Sequence, residues 1–234
     1  GFMKNTKSFK NLTLDISKFL SKASKTSRIS NTINFYDNRI CNIYKKNNSI
    51  SAYINDYMNT LPSVMIFFSD KKIISLASQI FGVKNDEVVV NNQRLRVQIP
   101  GRDKISSLPW HQDSHYNKLY IKNKSLVFWF SFGNISSDMG PVVVKPKSHT
   151  IGYLEKLFIT RPNGSKIPTI KLNQKQGEFL CLQDNFNEVF FQSKPGDLAI
   201  FDMNLVHKSG SNFSQNKIKW SGQARYHVLK NFKI

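Results

Sequence analysis

The segment LPWHQDSHYN contains two residues that could bind a metal ion together, His111 and Asp113. In an extended strand, residues i and i+2 point to the same face, so an imidazole and a carboxylate at this spacing could hold one cation. A His-x-Asp tripeptide is also common by chance, and two ligands alone bind a cation weakly. The metal interpretation therefore predicts a third ligand from a distant strand.

His207 is the best candidate for that ligand, because it follows KPGDLAIFDMNLVH, where a turn leads into an apolar strand. Two histidines and one carboxylate on one face of an octahedron leave three adjacent positions open, as in non-heme Fe(II) oxygenases. A zinc site would more often use a third His or Cys. Among the other histidines, we expect His115 to be a solvated loop residue, His149 a turn residue and His227 structural.

Composition limits the class of protein. The chain has 234 residues, 40% of them hydrophobic, which suits one large domain. Its two cysteines, Cys41 and Cys181, have no disulfide-like or zinc-binding spacing and fit a reducing compartment. The first twenty residues lack the apolar run of a signal peptide, and we find no sequence stretch apolar enough to span a membrane. These features predict a cytoplasmic protein.

The formal net charge of +19 could indicate a nucleic-acid partner, because Lys and Arg neutralise phosphates. No helix-turn-helix, zinc-finger or RNP motif accompanies the charge, and the chain is rich in Lys, Asn, Ile and Ser throughout. We therefore consider nucleic acid an improbable partner. The basic insert TRPNGSKIPTIK, at 160–171, instead favours a small anionic molecule at the mouth of the fold.

Residues 1–86 are predicted to form a mostly helical layer. The segment SISAYINDYMNTL, at 49–61, spaces apolar residues at helical period and ends before Pro62. SDKKIISLASQIFG, at 69–82, offers Ser69 or Asp70 as its N-terminal cap and Gly82 as its C-terminal residue. Both segments are therefore predicted to be helices.

The period changes to two from residue 87 onward. Short β-rich runs follow one another, separated by Gly, Pro, Asn and Asp: EVVVNN, RLRVQIP, SLVFWFSFGNI, GPVVVKP, GEFLCLQD, NEVFFQS, GDLAIFDM and IKWSGQARYHVL. Strands at this spacing without intervening helices indicate an antiparallel sandwich or barrel. The predicted fold is mainly β with α: a double-stranded β-helix, or jelly roll, over residues 87–234 beneath the helical layer.

Three segments of the sequence together resemble the phytanoyl-CoA dioxygenase family of Fe(II)/2-oxoglutarate-dependent oxygenases. They are LPWHQD, WFSFGNISSDMGPVVVKPKSH and KPGDLAIFDMNLVHKSGSNFSQNKIKWSGQARYH. Their order and intervals match the family over residues 90 to 230. The resemblance implies a double-stranded β-helix in which His111, Asp113 and His207 bind Fe(II). It further implies that 2-oxoglutarate takes two of the open positions and dioxygen the third.

The resemblance also implies a cation, usually arginine, that binds the far carboxylate of 2-oxoglutarate. The eleventh position beyond His207, where the family carries it, is Ile218, and aligning on Trp220 puts Lys219 there. Lys219 and Arg225 share one face of the predicted strand. Alignment favours Lys219, whereas the bidentate geometry of a guanidinium favours Arg225. Further residues that the resemblance places near the cosubstrate are Ser209, Gln98 and Arg96. Arg96 could equally face solvent.

The implied activity is hydroxylation of an unactivated C–H bond in a small, anionic metabolite, with release of succinate and carbon dioxide. Related halogenases have a small residue at the position of Asp113, so the carboxylate argues against halogenation. Two alternatives remain open at this point: a non-catalytic jelly-roll binding protein and an oxygenase that acts on nucleic acid.

Overall fold

The computed structural model describes residues 1–101, 107–116, 125–176 and 188–228. The α-helices of the first part of the chain are α1 (Lys7–Ala23), α2 (Asp37–Lys46), α3 (Ile50–Asn59), α4 (Pro62–Phe68) and α5 (Lys71–Phe81). Its strands are β1 (Val88–Gln98), β2 (Ser125–Ser131), β3 (Val142–Val144), β4 (Lys156–Thr160), β5 (Lys166–Ile170), β6 (Val189–Phe191), β7 (Leu198–Asp202), β8 (His207–Ser209) and β9 (Lys219–Val228). Across the described segments, no helix is long and apolar enough to cross a membrane.

Both predicted helices form, and local signals set their ends. α3 ends before Pro62, which begins α4. At the start of α5, the Asp70 side chain accepts a hydrogen bond from the backbone N–H of Lys72. Gly82 ends the helix with a φ of 70°, a left-handed conformation that glycine adopts without steric penalty.

The strands form antiparallel sheets. The larger sheet has the order β1-β9-β2-β7, and the smaller one has the order β6-β3-β8. A backbone bridge between His111 and His207 extends the β8 edge of the smaller sheet. β4 and β5 form a separate hairpin within the insert at 160–171 and just before it. Antiparallel sheets behind N-terminal helices are the arrangement that the sequence predicts.

One strand differs from the sequence prediction, and one predicted strand is not tested. EVVVNN and RLRVQIP form one strand, β1, whose register shifts between Asn91 and Arg94 where Asn92 takes a φ of 52°. A bulge of this kind lets a strand change direction without ending. The polar residues Asn91 and Asn92 therefore do not mark the end of a strand. The predicted strand GEFLCLQD and Cys181 lie outside the described residues.

The helices pack on one face of the larger sheet. Phe128, Phe130 and Tyr226 point to this side and are fully buried. Phe67 of α4 meets Phe130 edge to face, with ring centroids 5.0 Å apart, and the Tyr226 hydroxyl donates to the carbonyl of Phe68 at 2.7 Å. Because side chains alternate along a strand, the residues between them, such as Trp129 and Arg225, point into the space between the sheets.

Two asparagines of α3 cover the outer edge of the larger sheet. β1 is an edge strand, so part of its backbone lacks a strand partner. Asn59 accepts from the N–H of Leu95 at 2.7 Å and donates to its carbonyl at 3.0 Å, while Asn55 accepts from the N–H of Val97 at 3.1 Å. The helical layer thereby satisfies backbone groups that an unprotected edge would leave open to another chain.

Asp37, the first residue of α2, joins the helical layer to β9. Its carboxylate accepts from the Trp220 indole at 2.7 Å, from the backbone N–H of Ile218 at 3.2 Å and from the Asn34 amide at 2.9 Å. Burial raises the pKa of Asp37 to about 6, although the three donors act in the opposite direction. The layer is thus fixed to β9 at residues on either side of Lys219.

Candidate metal centre

Three side chains from two segments far apart in the chain converge between the two sheets. The Nε2 atom of His111 lies 3.5 Å from Oδ1 of Asp113, and Nε2 of His207 lies 3.7 Å from the same oxygen. All three residues are buried, and one ligand atom of each lies within 4.8 Å of the others. A first-row metal bonds N and O ligands at about 2.0–2.2 Å, so two atoms that share one ion lie at most about 4.4 Å apart. The contacts of both histidines with Asp113 meet this condition.

Backbone carbonyls fix the orientation of both imidazoles. The Nδ1 atom of His111 is 2.8 Å from the carbonyl of Pro109, and Nδ1 of His207 is 2.9 Å from the carbonyl of Leu205. A carbonyl oxygen can only accept, so Nδ1 carries the proton in each ring and Nε2 keeps its lone pair. This is the tautomer in which Nε2 can bind a metal, with the ring held in place by the other nitrogen.

Backbone pairing brings the two histidines side by side. The N–H of each donates to the carbonyl of the other, at 2.9 Å from His111 and 3.0 Å from His207. Their ring centroids are consequently 4.2 Å apart. Burial, followed by the nearby His111, lowers the pKa of His207 to about 4. The His207 imidazole is therefore neutral at physiological pH, as a metal ligand must be.

The Nε2 atom of His111 is well suited to bind a cation. It is buried, and it has no hydrogen bond within the part of the chain that the structure describes. A buried polar atom without a partner is unfavourable, and a metal ion between the three side chains would satisfy it. The donor set of two imidazoles and one carboxylate also fits Fe(II) with open positions.

Arg225 holds the second oxygen of Asp113. Its guanidinium donates to Oδ2 at 2.6 Å, and both side chains are more than nine-tenths buried. Burial alone would raise the pKa of Asp113, but the adjacent Arg225 guanidinium outweighs it and holds that pKa far below its usual range. The carboxylate is therefore ionised, with Oδ1 facing the histidines.

A cavity of about 260 Å³ adjoins the three side chains. The residues predicted from sequence that line it are His111, Asp113, His207, Gln98, Arg96, Ser209 and Lys219. At one end, the Lys219 ammonium donates to the carbonyl of Gly140, and Gln98 donates to the carbonyl of Gly210 at 3.2 Å. Arg225 is not among the described lining residues, because its guanidinium is turned to Asp113.

Sequence reasoning missed several contributions. Arg161, within the β4–β5 turn, and Lys208, beside His207, also line the cavity, but their side-chain directions had no local sequence signal. Gln112, between His111 and Asp113, points the opposite way and donates to the carbonyls of Gly152 and Asn204 at 2.8 and 2.7 Å. Its spacing within His-Gln-Asp predicts that direction but not its partners.

The prediction for His115 is wrong. This residue is 2% exposed, and its Nε2 lies 2.9 Å from the carbonyl of Leu154. The sequence predicts a solvated loop here, but a 3-10 turn over Asp113–Tyr116 turns the His115 ring inward. His227, on β9 between β1 and β2, is buried, as expected, and its Nδ1 lies 2.6 Å from the Ser125 hydroxyl.

A model of the phytanoyl-CoA dioxygenase family (PhyH) matches residues 8–219. The chain belongs to the phytanoyl-CoA dioxygenase family. The match includes the helical layer as well as the segments that carry the three convergent side chains, and it confirms the family predicted from sequence. A search of curated proteins gives no match.

Solved structures share the fold of this PhyH-family chain. EvdO2 from Micromonospora carbonacea var. aurantiaca, complexed with 2-oxoglutarate, has a TM-score of 0.53 and 16% identity, over 76% of this chain and 64% of that one. The epimerase SnoN, in complex with Fe3+, alpha ketoglutarate and nogalamycin RO, has a TM-score of 0.54 and 15% identity, over 74% and 62%. EctD from S. alaskensis with bound Fe has a TM-score of 0.53 and 19% identity, over 93% and 70%. The matches therefore cover less than two thirds of EvdO2 and SnoN, and they confirm the predicted jelly-roll fold with helices.

Proposed function

We propose that this PhyH-family chain is an Fe(II)- and 2-oxoglutarate-dependent oxygenase that hydroxylates a small molecule. The observation that carries the proposal is the convergence of His111, Asp113 and His207, with both Nε2 atoms and one carboxylate oxygen directed at a common point. The family supports the same chemistry, as do the iron and 2-oxoglutarate bound to relatives of the same fold.

In this proposal Asp113 would hold Fe(II) through Oδ1, because Arg225 occupies Oδ2. His111 and His207 would supply the other two protein ligands, and such a donor set would leave room at the metal for 2-oxoglutarate and dioxygen. The hydrogen bonds from Nδ1 to backbone carbonyls keep the imidazoles in the ligand tautomer throughout the cycle.

Lys219 is the proposed partner of the far carboxylate of 2-oxoglutarate. It lines the cavity from β9, whereas Arg225, the alternative cation on the same strand, is already paired with Asp113. A lysine binds a carboxylate as a point charge and lacks the fork of an arginine. Ser209 and Gln98, which line the same cavity, would add hydrogen bonds to the cosubstrate. We expect Lys219→Ala to weaken 2-oxoglutarate binding and Lys219→Arg to retain much of it.

With both groups bound, the iron and 2-oxoglutarate couple loss of carbon dioxide from the oxo acid to oxidation of a C–H bond. The protein contributes position and a dry environment. Trp129, Phe201 and Val142 line the cavity beside the three ligands and limit the access of water. The polar residues of the cavity wall orient the substrate so that one C–H bond faces the metal.

Anaerobic titration with Fe(II) and 2-oxoglutarate tests the proposal. We expect a visible metal-to-ligand charge-transfer band in the wild-type protein, and its loss in His207→Gln. The matched control is His149→Gln, which removes an exposed histidine outside the cavity and should keep the band. Succinate formed from 2-oxoglutarate under air, with mass analysis of the metabolite products, then identifies the reaction. Absence of the band from the wild-type protein would instead indicate a jelly-roll binding protein without iron chemistry.

A further inference from the structure

Three arginines line the cavity in addition to the groups used above. Arg94 and Arg96 come from β1, and Arg161 comes from the turn between β4 and β5. The side chains of Arg94 and Arg96 make no hydrogen bond or ion pair with a residue in the described part of the chain. Arg161 donates to the carbonyl of Ser107 at 2.7 Å, but its Nε is buried without a hydrogen-bond partner there. These groups present unused donors to the cavity.

Arg96 and Arg161 line the same cavity, Arg96 from β1 and Arg161 from the turn between β4 and β5. His111, Asp113 and His207 line that cavity too. Two cations outside the metal centre therefore face the space that the three candidate ligands also face.

The register of β1 and β9 separates Arg96 from the cosubstrate end. Gln98 is paired with Lys219, and Arg96 is paired with Ser221, two residues farther toward Arg225. Each residue of a strand advances the chain by about 3.3 Å, so Arg96 lies about 7 Å from the level of Lys219 in the direction of Asp113. Arg96 therefore lies between the level of Lys219 and that of Arg225, which holds Asp113.

The charges of the cavity leave a positive excess. Two positive charges on Fe(II) and one each on Arg225 and Lys219 face one negative charge on Asp113 and two on 2-oxoglutarate. Arg94, Arg96 and Arg161 then add to the single positive charge that remains, while Lys208 is paired with Glu188 at 3.3 Å. Among the described lining residues, Asp56 is the remaining carboxylate. A concave site with such an excess attracts and concentrates anions.

We propose that Arg96 and Arg161 bind an anionic group of the primary substrate, a phosphate or a carboxylate, and so orient its C–H bond toward the metal. Guanidinium groups suit this task because each can donate two parallel hydrogen bonds to such a group. The cavity volume of about 260 Å³ admits a small metabolite. The inference rests on the proposed function, since it concerns the substrate of the same site.

Titration of the anion site uses protein loaded with Mn(II) and saturated with 2-oxoglutarate, so that Lys219 and the metal are already occupied. Inorganic phosphate and acetate serve as probes in calorimetry and represent the two classes of anion. We expect one of them to bind the wild-type protein, and Arg96→Gln and Arg161→Gln to weaken that binding about tenfold or more. Arg39→Gln, which removes an exposed arginine of α2 outside the cavity, should leave it unchanged.

The charge-transfer band of the Fe(II) and 2-oxoglutarate complex separates the two proposals. We expect Arg96→Gln and Arg161→Gln to keep the band while losing the anion. Loss of the band in Arg96→Gln would assign this arginine to the cosubstrate and overturn the inference. A wild-type protein that shows the band but binds neither probe, or variants that bind it as well as wild type, would overturn it also. Absence of the band from wild type would refute the proposed function itself.

Discussion

Replacing Arg225 with glutamine tests how far the buried Asp113 carboxylate depends on one cation. The guanidinium and Oδ2 are 2.6 Å apart, and the side chains are 9% and 2% exposed. Removing one partner of a buried ion pair leaves the other charge unpaired and costs about 3–5 kcal/mol. The free energy of unfolding of most native proteins is about 5–15 kcal/mol, so this loss is large. We expect Arg225→Gln to lower the unfolding free energy of the metal-free protein by about 3 kcal/mol.

A double-mutant cycle with Asp113→Asn gives this prediction a definite sign. The double variant lacks the unpaired charge, so we expect it to be more stable than Arg225→Gln alone. The measurement is urea unfolding of the metal-free proteins, with the m-value compared between variants to verify that the unfolded states are similar. Arg225→Lys, which keeps the charge but loses the fork, should fall between wild type and Arg225→Gln.

The pair between Lys217 and Asp138 provides the matched control. The Lys217 Nζ and Asp138 Oδ2 atoms are 3.1 Å apart, but both side chains are exposed. A cycle of Lys217→Gln and Asp138→Asn should therefore show no measurable coupling energy. Additive effects of Asp113→Asn and Arg225→Gln would show that the two side chains do not depend on each other. The assignment of Arg225 as the group that holds Oδ2 would then be wrong.

Three further changes test the surroundings of the site. Asn59→Leu should lower the unfolding free energy by about 2 kcal/mol, because it leaves two backbone groups of Leu95 unpaired, and unchanged urea unfolding would contradict this. Folding raises the pKa of Asp37 from 3.8 to about 6. Its contribution to stability is therefore complete below pH 4 and is lost as pH rises through 6. Relative to Asp37→Asn, the unfolding free energy of wild type should fall by about 2 kcal/mol between pH 4.5 and 7. Folding lowers the pKa of His227 from 6.5 to about 4, so its contribution is present above pH 6.5 and is lost as pH falls; relative to His227→Gln, wild type should gain about 2 kcal/mol over the same interval, and a pH-independent difference would refute either assignment.

Local signals made much of the fold predictable. Pro62, Asp70 and Gly82 act on backbone conformation within a few residues, so the ends of α3 and α5 follow from the sequence. The alternation of apolar residues identified most of the strands. The β4–β5 hairpin had no such signal: every residue of β4 is exposed, so the strand needs no apolar alternation, and Pro168 lies within β5.

Long-range pairing set the limit of prediction at the site. The two-residue spacing of His111 and Asp113 and the strand before His207 indicated that these residues could meet. Arg225 and Asp113 are 112 positions apart, and period-two alternation places Arg225 and Lys219 on one face without deciding which reaches which carboxylate. That choice depends on the register of β9 against β1, which no local pattern specifies.

Asp37 gives the helical layer a role in the chemistry of the barrel. It binds the backbone of Ile218 and the indole of Trp220, the two neighbours of Lys219 in the chain. A shift of α2 by a fraction of an ångström would be transmitted through this carboxylate to Lys219, which lines the cavity. On the proposed role of Lys219, substitutions in α2 that touch neither the oxo acid nor the metal should therefore change the affinity for the oxo acid.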